Sequence, residues 1–115
     1  MFRFEELITW KKAAALSVDI FRKFDNINDW GFKNQITRSG LSISSNIAEG
    51  YERLSQKELR NFLNYAKGSA GERISKIYIG MKIGYIDGKT GRDWIKRAEE
   101  ISKMLQKLLD KFKPE

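Results

Sequence analysis

Apolar residues in this chain recur every three or four positions rather than every second one, the period of helices that bury a single face. A first helix is predicted from about Phe4 to Phe24. Its stripe is Leu7, Trp10, Ala14, Phe21 and Phe24, widened by Ala13, Leu16 and Ile20. "DNIND" then forms a turn in which Asn28 or Asp29 can cap a second helix. That helix should span Trp30 to Tyr51 on a stripe of Phe32, Ile36, Gly40, Ile43, Ile47 and Tyr51. "SQKE", Ser55 to Glu58, has the spacing of a capping box, in which hydroxyl and carboxylate satisfy each other's free backbone donors. It opens a third helix through Leu59, Leu63, Ala66, Ala70, Ile74, Ile77 and Met81, which stops near Gly84. After "GYIDGKTG", Thr90 and Asp93 offer a second capping box. The fourth helix carries Trp94, Ile95, Ala98, Ile101, Leu105, Leu108, Leu109 and Phe112.

The one proline, Pro114, lies beyond all four helices and interrupts none of them. Four amphipathic helices with short connections predict an all-α protein, an antiparallel up-down four-helix bundle forming one domain over residues 1–115.

Two helices carry more apolar or small surface than a lone bundle uses. On the third, Phe62, Tyr65, Ile79 and Ile83 point away from the main stripe. On the second, Thr37, Leu41, Ser44 and Ala48 form a second line. Surplus faces of this kind point to contact with another subunit, so a homo-oligomer is expected.

The second helix also holds a polar row: Gln35, Arg38, Ser42, Ser45, Asn46, Glu49 and Arg53. Several members stand four apart, so their side chains can bond along the helix. Serine and asparagine are poor helix formers, each costing a few tenths of a kcal/mol (roughly) against alanine. A polar network in close helix packing would offset that cost, and so would a ligand groove. Asn46 and Glu49 read as packing, the arginines as phosphate contacts. On the third helix Lys57, Arg60, Asn64 and Lys67 share a face beside Gly68 and Gly71, and Tyr78 and Lys82 extend it. A cationic track with small neighbours suits a phosphate backbone.

Composition narrows the chemistry. The chain has 22 Lys and Arg against 15 Asp and Glu, a net charge of +7, which favours polyanionic partners such as RNA or DNA. It has no cysteine and no histidine. Thiolate catalysis, Ser-His-Asp triads, zincin sites and Glu-x-x-His di-iron bundles are therefore all closed to it. "GKTG" lacks the strand and glycine spacing of a phosphate loop. Glu49, Glu52, Glu58 and Glu72 are the carboxylates on which a magnesium-dependent nuclease, on Glu49 and Glu72, would have to rest. No catalytic residue and no cofactor are expected. No apolar run reaches the roughly 18 residues of a membrane span. The start "MFRFEELITW" is unlike a signal peptide, so a cytoplasmic protein is expected.

"SISSNIAEGYER" followed by "SQKELRNFLNYAKGSAGE" resembles the four-helix-bundle proteins encoded in bacterial 23S rRNA intervening sequences. The residues that carry the resemblance are Ser42, Ser45, Asn46, Ile47, Ala48, Glu49, Gly50, Tyr51 and Arg53. They continue in Ser55, Glu58, Phe62, Leu63, Gly68, Ser69 and Glu72, with "FEELITWKKA" and "IGYID" on either side. The resemblance implies a small helical bundle assembling as a ring, a pentamer. It also implies kinship with the accessory subunit of diversity-generating retroelements, which binds nucleic acid and a reverse transcriptase. It transfers no catalytic site. This chain departs at Ser44, where the family often has proline, at "DNIND", which replaces a proline turn, and at Arg73, where leucine is common.

The sequence therefore predicts a non-enzymatic, oligomeric bundle that binds RNA or DNA through phosphate contacts from Arg38, Arg53, Lys57, Arg60 and Lys67. Ser42, Ser45, Asn46 and Glu49 form its structural polar row. A protein-interaction scaffold with incidental positive charge is the alternative, its partner a protein such as a reverse transcriptase.

Overall fold

Three of the four helices open on a side chain that caps them. The computed structural model describes Phe4 and residues 7–112. Helix α1 is Ile8–Lys23, α2 Trp30–Tyr51, α3 Gln56–Lys82 and α4 Gly88–Lys111. The earlier start expected for α1, near Phe4, lies partly outside the described residues. Helix α2 opens on Asp29, whose carboxylate accepts from the Phe32 N–H at 3.0 Å. Helix α3 opens on Ser55, whose hydroxyl accepts from the Glu58 N–H at 3.1 Å. The cap of α4 is Asp87 and not Thr90. Its carboxylate takes the Thr90 N–H at 3.0 Å, and the helix begins three residues earlier than the Thr90–Asp93 spacing predicts. A carboxylate accepting a backbone N–H at the positive end of the helix outcompetes the threonine hydroxyl there.

Helix α2 packs against α1 and α3, and α4 against α3 and α1, giving a body 47 by 21 by 19 Å. One core of buried apolar residues runs its length, from Phe24 and Trp94 through Ile36, Ile43, Ala66, Ala70 and Ile101 to Leu63, Leu105 and Leu109. On α1 the buried line is Thr9, Ala13, Leu16, Ile20 and Phe24. The expected stripe is therefore rotated: Ala13, Leu16 and Ile20 are its centre, Trp10 and Ala14 are half-buried, and Phe21 is exposed. At one end Phe24 meets Phe32 and Trp94 with ring centroids 5.7 and 6.0 Å apart, and Phe32 meets Tyr85 at 5.2 Å. Gly84 ends α3 with φ +84°, a left-handed turn that leaves the Gly80 carbonyl to accept from Tyr85 and Ile86. The Tyr85 hydroxyl donates to Asp29 at 2.8 Å and ties this turn to the start of α2.

The largest wholly buried side chain is Arg73. It leaves α3, crosses the bundle and donates from Nη1 to the Ser17 hydroxyl of α1 at 3.2 Å. Its guanidinium lies over Gly40 of α2, where an added Cβ would stand 1.8 Å from Nη2. Nε and Nη2 have no hydrogen-bond partner. Burial, and secondarily the charge of Arg97, lowers its pKa to about 10, which still leaves it charged at neutral pH. Arg73 stands where leucine is common in the family that the sequence resembles. The structure places it inside.

This packing can be tested by substitution. Gly40→Ala should destabilise the protein by about 1–3 kcal/mol, because Arg73 must move. Arg73→Leu should raise stability by about 1–4 kcal/mol and remove most of the Gly40→Ala penalty. A double-mutant cycle by urea denaturation reads both. The capping carboxylates give an acid signature. Asp29 is held below its ordinary pKa by the Phe32 N–H and then Tyr85, and Asp87 by the Thr90 side chain and N–H. A lowered folded pKa contributes stability that is present above the unfolded value and lost as pH falls through the folded one. Asp29→Asn with Asp87→Asn, which keep the caps but cannot titrate, should flatten the acid limb of thermal unfolding between about pH 5 and pH 2.

Candidate nucleic-acid interface

Helix α2 has three working sides. Ile36, Ile43 and Ile47 enter the core. Gly50 sits under α3, where a Cβ would meet Leu59 at 3.0 Å and Phe62 at 3.1 Å, so the α2–α3 corner closes tightly. Between those contacts the polar row divides. The Ser42 hydroxyl meets the Ser69 hydroxyl of α3 at 2.8 Å. Asn46 donates to the Ser42 carbonyl at 2.8 Å and to its hydroxyl at 3.0 Å. These half-buried groups satisfy one another across the helix seam. Ser45 is exposed. Glu49 is also exposed and pairs with Arg53 at 3.3 Å.

Beyond Gly50 the chain turns through a corner built of cations and rings. The Arg53 guanidinium lies 4.9 Å from the Phe62 ring centroid. Leu54 projects fully into solvent. A cleft of about 400 Å³ opens between this corner and the end of α4, lined among others by Tyr51, Arg53, Ser55, Lys111 and Phe112. Tyr51 and Phe112 meet edge to face at 6.2 Å, and the Lys111 ammonium lies 5.5 Å from the Phe112 centroid. Burial raises the Tyr51 pKa, so its phenol is neutral at pH 7. Lys57, the second residue of α3, is exposed and makes no ion pair among the described residues.

Arg60 and Lys67 of the third-helix face turn inward, whereas Lys82 is exposed. Arg60 is half-buried and donates to the Leu109 carbonyl, and Gln56 donates to the Phe112 carbonyl. Both supply donors to the carbonyls that a helix leaves unpaired at its C-terminus, here that of α4. Lys67 donates to Gln106 of α4, which in turn donates to Asp110 at 3.0 Å. Arg53 and Lys57 thus gather at the corner, and Arg60 and Lys67 run along the α3–α4 seam. Arg38 is exposed but stands 15 residues before Arg53 on α2, roughly 22 Å along the axis.

Lys111 is the corner residue that sequence reasoning missed. Its own helix carried a signal. Lys89, Arg92, Lys96, Lys103 and Lys107 fall within an arc of roughly 60° at about 100° per residue, with Glu99, Glu100 and Asp110 interleaved. The carboxylates weighed for a metal are otherwise engaged: Glu49 with Arg53, and Glu72 with Lys76 at 3.8 Å. Among the described residues no group of three or more acidic side chains is placed to hold a metal ion. "GKTG" forms the first turn of α4, with Gly91 buried against Met81. Among the described residues no helix is long and apolar enough to cross a membrane.

The sequence model describing the 23S rRNA-intervening sequence protein matches residues 5–107. The chain is also similar to a crystal structure of a protein of unknown function from the S23 ribosomal protein family of Bacteroides thetaiotaomicron VPI-5482. The TM-score is 0.83 at 25% identity, over 89% of this chain and 98% of that one. No curated protein matches.

Arg60→Ala should cost about 1 kcal/mol and speed amide exchange in the last turn of α4, because the Leu109 carbonyl loses a charged donor. Lys57→Ala should change neither. Hydrogen exchange measured by mass spectrometry separates the two.

Proposed function

The chain belongs to the 23S rRNA-intervening sequence protein family, and from that footing we propose that it is a non-enzymatic, oligomeric bundle that binds single-stranded nucleic acid at the α2–α3 corner. The observation that carries the reading is the cleft between that corner and the end of α4. There Arg53 and Lys111 line the cleft with the Tyr51 and Phe112 rings, and the exposed Lys57 follows in the first turn of α3. Single strands are held by cations that track the backbone and by aromatic faces on which bases stack, largely without regard to sequence. RNA is the preferred strand in this reading, given the family to which the chain belongs.

An up-down, antiparallel order of helices is supported by the ends that meet. The start of α2 touches the α3–α4 turn through Asp29 and Tyr85, and the end of α2 touches the end of α4 through Tyr51 and Phe112. Assembly as a ring, a pentamer, is supported by the apolar surface left over on α3, where Tyr65, Tyr78, Ile79 and Ile83 are all more than half exposed. Gly68 and Gly71 lie on the same helix with nothing within 4 Å of an added Cβ, so their smallness serves no contact within the chain. Repeating the corner around a ring would add weak phosphate contacts into useful affinity. The same exposed rings on α3 favour a second reading, a scaffold that docks a partner protein such as a reverse transcriptase. The proposed setting is the cytoplasm.

Anisotropy of a labelled single-stranded RNA over a salt series tests the reading. Each phosphate contact contributes about 0.7 to the slope of log affinity against log salt for a single strand. Replacing Arg53, Lys57 and Lys111 by alanine should lower the slope by about 2. Replacing Arg60 and Lys67 should change it less. An unchanged slope in the first variant rejects the corner. Failure to bind RNA or DNA at any salt, alongside a stable protein complex, favours the scaffold.

A further inference from the structure

Among the described residues Arg73 is a buried cation without a counter-charge. The nearby carboxylates serve other cations: Asp19 pairs with Arg97 at 2.8 Å, and Asp25 lies 3.9 Å from Lys33. Of the five N–H donors of the guanidinium, the Nη1 bond to Ser17 is the single one with a partner. A charge in that state calls for an anion.

Arg73 itself is wholly buried and lines no groove, but the Ser17 hydroxyl that it touches does. On the outer side of α1 and α2 lies an open groove of about 580 Å³, lined by Ser17, Val18, Phe21, Arg22, Asp25, Thr37 and Leu41. Ser17 belongs to both places, since its hydroxyl touches Arg73 and also lines the groove. The Thr37 hydroxyl is buried on the same floor with no hydrogen-bond partner. It stands one turn before Gly40, over which the guanidinium rests. Val18, Phe21 and Leu41 form apolar walls that are 45%, 49% and 55% exposed.

We propose that this groove binds a monocarboxylate with a hydrocarbon body, its headgroup held by Thr37 and Arg73 and its tail by Val18, Phe21 and Leu41. One negative charge balances the one buried cation, because the two charged side chains that also line the groove, Arg22 and Asp25, cancel each other. The Ser17 hydroxyl is the gate. It donates to the Ala13 carbonyl at 2.9 Å and can keep that bond while releasing Nη1 to the carboxylate. The volume lies within the range of small-ligand sites, roughly 300–1,000 Å³.

Titration of the full chain with carbon-13-labelled decanoate, monitored by NMR and by thermal shift, tests the site. The expected result is saturable binding of one decanoate per chain with a raised Tm. Decanol, which has the tail without the charge, should bind at least about tenfold more weakly. Arg73→Leu should abolish decanoate binding although the variant itself melts higher. Thr37→Val, which keeps the shape of the floor, should weaken binding by roughly three- to tenfold. Three results overturn the proposal: decanol binding as well as decanoate, Arg73→Leu retaining the affinity, or uptake that never saturates. A groove that takes no decanoate, with Arg73→Leu shifting the oligomeric state, also overturns it and assigns the counter-charge to a carboxylate of a second copy.

Discussion

The guanidinium of Arg73 and the missing side chain of Gly40 define each other. Arg73 rises from α3, lies on the bare backbone of α2 and reaches Ser17 on α1. Three of the four helices therefore set their spacing around one planar group at the middle of the bundle. A hydrophobic core tolerates exchanges of similar volume, but a charged plane does not deform to suit its neighbours. The separation of α1 from α2 above it, and hence the groove on their outer side, depends on the slot that Gly40 leaves open. The apolar layers on either side, Ile36 and Ile43 on α2 and Ala70 and Ile77 on α3, carry the favourable burial that offsets the desolvated charge.

The polar residues of α2 that look wasteful in the sequence have separate uses. Ser42 and Asn46 close a seam with Ser69 of α3, where two helices approach on small side chains and the polar groups satisfy each other. Glu49 stays outside and steadies Arg53, which in turn lies across Phe62. Thr37 and Ser44 keep buried hydroxyls with no partner. One helix thus carries a satisfied polar seam toward α3 and unsatisfied hydroxyls elsewhere. That contrast, rather than the number of serines, separates the groups that pack from those without a partner among the described residues.

The helices were largely legible in the sequence because burial imposes a three-to-four period that few residues break. The bounds of α2, Trp30 and Tyr51, are those the pattern predicts, and Ser55 caps α3 as its spacing implies. The misses share a cause. On α1, alanine, leucine and aromatic residues are spread so widely that the apolar arc has no unique centre, and only packing against α2 and α4 turns Phe21 outward. At α4 two acceptors competed for one N-terminus, and periodicity cannot rank Asp87 above Thr90. Arg73 was visible as a charge beside the core stripe. That it crosses to Ser17 depends on Gly40 and Ser17 arriving from distant parts of the chain, which no local pattern contains. The fate of each lysine was similarly hidden. Lys57, Arg60 and Lys67 share one face in sequence, yet α4 lies alongside part of that face.

That division explains how a basic composition can serve a fold and leave a surface. A helix ends with unpaired carbonyls and a partial negative charge, and α4 ends beside the first turns of α3. Arg60 and Gln56 meet those carbonyls, so part of the +7 excess goes into holding the end of α4 in place. Holding it there is what brings Lys111 and Phe112 up to Tyr51 and Arg53 and shapes the cleft between them. The inward donors are thus a condition for the outward cations: without Arg60 and Gln56 the last turn of α4 would lose these ties to α3, and the corner would keep its charges but not their arrangement around the rings. Positive charge at this corner acts first as a helix-end clamp, and the surface proposed for an anionic partner depends on that clamp.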